Sequence, residues 1–272
     1  MLGSPIGHSL SPVLHAAAYA ALGLTWWRYE AIECGEAGLP ARLDSCGPDW
    51  AGLSLTMPLK KAVLPLLDRL EPLVTEVGAA NTVLFAAEQR LGYNTDVPGM
   101  VRALADRGVG KEAQAGPALI FGGGATASAA LAALRDLGER TAMVAVRDRG
   151  RAADLIAAAA RLGVTVTLVP LDHASVPAAR LVISTVPAAA SSLVAHMIAR
   201  LVPAPETVFD VVYHPWPTPL ADAAAAAGGA VVSGLELLVH QAARQVELMT
   251  GRPAPLAEMR RAGQAELSRL AG

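Results

Sequence analysis

The sequence predicts an α/β protein with mostly parallel sheets, arranged as two units. Three observations predict it. Short apolar runs bounded by turn residues recur along the chain, and stretches with helical apolar spacing lie between most of them. A glycine cluster also joins one such run directly to a helix. Strands are expected at 52–56, 82–85, 118–121, 141–146, 164–169, 181–185, 208–212 and 230–232. Alternation of buried strands with helices is the signature of parallel sheets. Leu131, Leu134 and Leu137 mark one intervening helix, and residues 101–107 read as another, joining a unit before about Asn94 to one after about Gly116. The stretch 235–270 is helical apart from the Gly251-Arg252-Pro253 break.

Composition narrows the function. The chain has 272 residues, 22 basic against 24 acidic, for a formal net charge of −2. So little positive charge argues against a nucleic-acid binder, and aromatic residues, at 4%, form no stacking platform with basic ones. No apolar run is long enough to span a bilayer, and the start, MLGSPIGHSLSP, lacks the regions of a secretory signal. Cys34 and Cys46 cannot build a disulfide framework or a four-ligand zinc site. The six histidines (8, 15, 173, 196, 214 and 240) show no metal-binding spacing, so no metal is expected. A soluble, cytoplasmic protein is the expectation.

The most mechanistic local signal is Ala118-Leu-Ile-Phe-Gly122-Gly123-Gly124-Ala125-Thr126-Ala127. Glycines between strand and helix let backbone N–H groups approach a pyrophosphate at the helix N-terminus, although a plain tight turn uses the same residues. Gly122 and Gly124 fit the G-x-G-x-x-G pattern, but its third position is Ala127. The following strand ends in Arg147-Asp148-Arg149-Gly150-Arg151. In a dinucleotide fold an acid there reads a ribose 2′-hydroxyl, and arginines a 2′-phosphate. Three guanidiniums around one carboxylate favour NADP over NAD.

Nineteen arginines stand against three lysines, Lys60, Lys61 and Lys111. A chain that defaults to arginine yet places lysine after Leu55-Thr56-Met57-Pro58-Leu59 has an amine able to exchange a proton, which arginine cannot. A wet helical turn would account for the same residues. Asp96, in Asn94-Thr95-Asp96, either meets Lys60 or caps the next helix. Ser9 and Ser11, before Pro12, either cap a helix or hold a carboxylate.

Together these segments resemble the shikimate dehydrogenase family, in its biosynthetic, NADP-dependent, actinobacterial form. The resemblance runs through Gly3–Pro12, Leu55–Lys60, Gly78-Ala79-Ala80-Asn81-Thr82, Asn94-Thr95-Asp96, the glycine loop, Asp210-Val-Val-Tyr213-His-Pro215 with Thr218-Pro219-Leu220, and Gly234-Leu235 through Gln241-Ala242-Ala243. It implies a substrate domain at 1–98, a Rossmann NADP domain at 99–233, and C-terminal helices at 234–272 that return to the first domain. It further implies reversible NADPH-dependent reduction of 3-dehydroshikimate to shikimate on the route to chorismate and aromatic amino acids. Lys60 and Asp96 match the catalytic pair. Ser9 and Ser11 match the carboxylate-binding serines; Thr56, Asn81 and Gln241 match positions holding ring hydroxyls, and Tyr213 one lining the substrate site. Gly122, Gly123, Gly124, Ala125, Thr126, Ala127, Arg147, Arg151 and Gly234 match cofactor-binding positions. The implied partners are the small-molecule substrate and, for assembly, a monomer or homodimer.

The chain also departs from the family pattern. Ser54 replaces an Asn, Val97 a Gly, Ala16 an Asn and Val146 an Asn, while Glu236-Leu237 replaces Gly-Met. Ala127-Ser128 follows the glycines where Ser-Arg is usual, so one phosphate-facing arginine is missing. The chain begins just before the Gly-Ser-Pro-Ile loop, where family members carry several strand residues. The alternatives are a quinate or quinate/shikimate dehydrogenase using NAD, and a non-catalytic small-molecule binding paralogue. Retention of Ser9, Ser11, Arg147 and Arg151 favours the biosynthetic enzyme, and retention of Lys60 and Asp96 favours catalysis.

Overall fold

The computed structural model describes residues 1–110, 118–171 and 177–271, so Lys111 and His173 lie outside the described residues. The chain divides into two compact units, Met1–Asp96 with Leu238–Leu270, and Val97–Leu237.

The first unit runs β1 (Leu2–Gly3), α1 (Ser11–Ala21), β2 (Ile32–Glu33), α2 (Leu39–Asp44), β3 (Gly52–Ser54), α3 (Leu59–Ala62), β4 (Arg69–Leu70), α4 (Pro72–Val77), β5 (Thr82–Ala86) and β6 (Gln89–Tyr93). Its larger sheet has the order β3-β5-β6-β4 and is mixed: β3 and β6 both run antiparallel to β5, and only β4 and β6 are parallel. The expectation of mostly parallel sheets therefore fails in this unit. A strand buried on both faces announces itself as an apolar run; β6, Gln89-Arg-Leu-Gly-Tyr93, is largely polar and only partly buried, as one face of an antiparallel sheet permits. β1 pairs in parallel with β2 and bridges Leu55 on its other side. A core of Leu2, Leu39, Leu43, Leu53, Leu55, Leu59, Val63, Val74 and Val83 closes the unit. Helix α4 stops at Gly78, whose φ of 75° suits a residue without a Cβ.

In the second unit, α5 (Asp96–Ala105) leads to β7 (Ala118–Phe121), α6 (Ala125–Asp136), β8 (Thr141–Val146), α7 (Ala153–Leu162), β9 (Thr165–Pro170), β10 (Leu181–Ser184), α8 (Ser191–Ile198), β11 (Thr207–Asp210), α9 (Pro219–Ala226) and β12 (Ala230–Ser233). The six strands are parallel throughout, in the order β12-β11-β10-β7-β8-β9. Read from the other edge, this is the doubly wound 3-2-1-4-5-6 order, with its switch point between β7 and β10. β7, β10 and β11 are buried along their whole length. The alanines of α6 explain how closely that helix approaches the sheet: Ala127, Ala129, Ala130, Ala132 and Ala133 all have no exposed surface. Two C-terminal helices follow, α10 (Gly234–Thr250) and α11 (Leu256–Ala271). No helix among the described residues is long and apolar enough to cross a membrane.

Candidate active site

The first unit gathers a buried polar cluster around one ion pair. Lys60, on the four-residue helix α3, places Nζ 2.5 Å from Oδ2 of Asp96, the first residue of α5. Asp96 is 5% exposed, and its second oxygen accepts a bond from Asn81 Nδ2 at 3.0 Å. A buried carboxylate is tolerable only when its oxygens are occupied in this way. The capping alternative for Asp96 is thereby resolved, since its carboxylate faces Lys60 and Asn81. Asn94 takes the local role instead, accepting from the Asp96 amide at 3.1 Å while donating to Ala79 O at 2.9 Å.

Asn81 is the hub. Besides Asp96, its amide nitrogen reaches Thr95 Oγ1 at 2.9 Å and Gln241 Oε1 at 3.1 Å. Its carbonyl accepts from the Thr95 amide at 2.8 Å and from Thr82 Oγ1 at 3.0 Å. One turn beyond Gln241 on α10, Gln245 donates to Thr82 Oγ1 at 3.0 Å and accepts from Ser54 Oγ at 2.9 Å. Tyr29 donates to Ser54 Oγ at 2.7 Å. Sequence reading named Asn81, Gln241, Lys60 and Asp96 but missed Thr82, Thr95, Gln245 and Tyr29 as parts of the same cluster. Gln245 carried a usable signal, its spacing of four from Gln241 on one helix face. Tyr29, 25 residues from its partner, carried none.

Ser9 and Ser11 sit at the start of α1. The helix opens at Ser11 with Leu10 as its N-cap and no side-chain capping bond, so Ser11 lies one position inside the helix. The N-cap expectation is corrected accordingly. The Ser9 hydroxyl accepts from the Ser11 amide at 3.2 Å, and Ser11 is 3% exposed. His15, one turn on, is fully buried, with Nδ1 2.9 Å from Ser11 O. Burial lowers its pKa to about 3, so Nδ1 donates from a neutral ring. Thr56 is placed by a close backbone approach: a Cβ on Gly3 would lie 2.2 Å from Thr56 Cγ2, so only glycine fits there.

The glycine loop of the second unit joins β7 directly to α6. Gly122 has φ +114°, and a Cβ on it would lie 2.3 Å from Thr185 Oγ1 at the sheet's switch point. Gly124 is the N-cap of α6 and offers no side-chain bond to the first helical turn. Ala125, Thr126 and Ala127 supply that turn, and Ala127 is wholly buried, filling the place of a third glycine. Arg147 is exposed at the end of β8. Asp148 is occupied locally, its Oδ1 accepting from the Gly150 amide at 2.8 Å, and Arg149 donates to Leu168 O at 3.0 Å. The one acid at this strand end is thus a local cap. The side chain of Arg151 lies outside the described residues. Gly234 opens α10, where a Cβ would lie 2.0 Å from Val211 O. Tyr213 is half-buried in the segment after β11.

Two family models match the chain: the shikimate dehydrogenase substrate binding domain over residues 1–83, and the shikimate 5′-dehydrogenase C-terminal domain over residues 234–262. The NADP(+) shikimate dehydrogenase of Geobacter metallireducens is 35% identical, covering 99% of this chain and 96% of its own. The chain belongs to the shikimate dehydrogenase family. Among solved members of the family, the Mycobacterium tuberculosis enzyme superposes with a TM-score of 0.86 at 42% identity, covering 97% of each chain. The Thermus thermophilus shikimate 5-dehydrogenase, solved with NADP(H) and shikimate, gives a TM-score of 0.80 at 34% identity, also covering 97% of each.

Proposed function

We propose that this protein reduces 3-dehydroshikimate to shikimate reversibly with NADPH, on the route to chorismate and the aromatic amino acids. The observation that carries the reading is the Lys60–Asp96 pair, held from behind by Asn81 and through it by Gln241. The first unit is the substrate unit. Ser9 and Ser11 bind the carboxylate, Thr56, Asn81 and Gln241 the ring hydroxyls, and Tyr213 lines the substrate. Gly122–Gly124 with the amides of Ala125, Thr126 and Ala127 hold the cofactor pyrophosphate, Arg147 and Arg151 its 2′-phosphate, and Gly234 allows close backbone approach. NADPH, when bound, supplies a hydride to the carbonyl carbon.

Lys60 does the rest of the chemistry. Its ammonium stabilises the negative charge that grows on the ketone oxygen and then transfers a proton to it. Asp96, its oxygens bound by Lys60 and Asn81, takes one N–H of the ammonium and so orients the others toward the ketone oxygen. In the reverse direction the neutral amine takes the hydroxyl proton.

Initial rates with shikimate or quinate against NADP or NAD test the assignment, and shikimate with NADP is expected to dominate. Lys60→Ala is expected to lower kcat by roughly 10²–10⁴-fold, the usual scale of a lost general acid, with KM for shikimate little changed. Unchanged kcat would remove Lys60 from the mechanism.

A further inference from the structure

The sense of the hydrogen bonds around Asn81 follows from one backbone group. The Thr95 amide can only donate, and it meets the Asn81 side chain at 2.8 Å, so the atom it meets is the carbonyl oxygen. The other end of Asn81 is then its NH2, which faces the Asp96 carboxylate at 3.0 Å. Thr82 Oγ1 lies 3.0 Å from the same carbonyl oxygen and donates to it. A hydroxyl has one proton, so with that proton spent on Asn81 the Thr82 oxygen accepts, and it does so from the Gln245 NH2 at 3.0 Å. The Gln245 carbonyl is left to Ser54, which donates to it at 2.9 Å.

Helix α10 thus holds Asn81 at both ends. Gln241 Oε1 accepts from its nitrogen at 3.1 Å, and Gln245, one turn later, reaches its carbonyl through Thr82. The Asn81 NH2 has two protons for three acceptors, Thr95 Oγ1, Asp96 Oδ1 and Gln241 Oε1, at 2.9, 3.0 and 3.1 Å. Which of them are served depends on the tilt of the amide plane. The Thr95 amide decides which end of Asn81 faces Asp96; the second bond at the carbonyl, from Thr82 on β5, fixes the tilt. Thr82 has no exposed surface and Gln245 only 1%, so neither offers surface to a ligand.

We propose that Thr82 is a positioning residue for the reacting pair: its hydroxyl, held by Gln245, fixes the Asn81 amide so that one N–H stays on Asp96, which in turn aims the Lys60 ammonium. The proposal rests on the reading of Lys60 and Asp96 as the proton-transfer pair. Thr82 touches neither substrate nor cofactor. A misaimed proton donor slows the reacting step more than it weakens binding, so the effect of Thr82 falls on rate.

The test is a double-mutant cycle of Thr82→Val and Asn81→Ala, with hydride transfer from shikimate to NADP followed in a single turnover and KM measured alongside. Thr82→Val keeps the branched shape and removes only the hydroxyl. It is expected to slow hydride transfer about five- to tenfold, the scale of one lost hydrogen bond, while KM for shikimate changes less than about twofold. Thr82→Ser, which restores the hydroxyl, is expected to recover the rate to within about twofold of the wild type. In the Asn81→Ala background, Thr82→Val is expected to change the rate less than about twofold, because the group it positions is gone. A residue that only stabilised the fold would lower the unfolding midpoint and leave the rate per folded site unchanged. That result, a loss that Thr82→Ser does not recover, or additive effects in the cycle would overturn the proposal. If Lys60→Ala leaves the rate unchanged, the proton-transfer pair is misassigned and the proposal falls with it. If Lys60→Ala loses turnover and Thr82→Val does not, Thr82 alone is misassigned. Gln245→Met, which releases the Thr82 hydroxyl from its other side, serves as the second variant if Thr82→Val does not fold; it is expected to show the same loss and the same coupling to Asn81, and additivity would overturn the proposal equally.

Discussion

His15 makes the stability of the first unit depend on pH in a way that can be worked out in advance. The ring is wholly buried, one nitrogen bonds the Ser11 carbonyl, and Nε2 has no hydrogen-bond partner. Burial depresses its pKa from 6.5 to about 3, with a smaller opposing effect from the Ser11 carbonyl and a further lowering from the N-terminal ammonium. The folded state therefore refuses a proton that the unfolded chain accepts below pH 6.5. Its contribution is fully present above that value and is lost as pH falls from 6.5 toward 3. Between pH 7.5 and 4.5 the loss is on the order of 3 kcal/mol, two pKa units below 6.5 at about 1.4 kcal/mol each. Urea unfolding followed by tryptophan fluorescence is the assay, because Trp26, Trp27 and Trp50 all lie in the first unit. His15→Asn removes the titration while keeping a donor near the Nδ1 position. The N-terminal amine, lowered to about 6 by its own burial, also loses stability as pH falls, but it does so in both proteins and cancels. The wild type is expected to lose on the order of 3 kcal/mol more than the variant between the two pH values. Equal losses would refute the reasoning and place a proton on the folded-state ring.

Two further outcomes are expected in the second unit. Gly122→Ala places a Cβ 2.3 Å from Thr185 Oγ1 at a φ of +114°, so it is expected to weaken NADP binding at least about tenfold by calorimetry, with shikimate affinity unchanged. Thr218 caps α9 by accepting from the Ala221 amide at 3.0 Å and donates to Asp210 at 2.7 Å. Asp210 is fully buried, and its pKa is already raised chiefly by desolvation. Thr218→Val removes both bonds and is expected to cost roughly 2–3 kcal/mol in denaturant unfolding.

What could be read from the sequence follows from which interactions are local. β7, β10 and β11 were legible because a strand buried on both faces must be continuously apolar. β1, β2 and β4 have two residues each, too few for any period, and β6 is largely polar and only partly buried, so it gives no continuous apolar run. The same division runs through the site. Lys60, Asn81, Asp96 and Gln241 sit in segments whose order along the chain carries the family resemblance. The role of Asp148 was not readable, since a carboxylate that caps Gly150 and one that binds a ribose look alike in sequence. At Ser54 the sequence showed only a departure from the family's Asn, with no partner in view. The structure shows Tyr29 from one side and Gln245 from the other bonded to it, so the smaller side chain is one link in a continuous chain of donors. A buried hydroxyl with one partner missing would cost about as much as the contact it replaced. At Ser54 the hydroxyl accepts from Tyr29 and donates to Gln245, and removing the Tyr29 hydroxyl is expected to cost about one buried hydrogen bond, roughly 1 kcal/mol in denaturant unfolding.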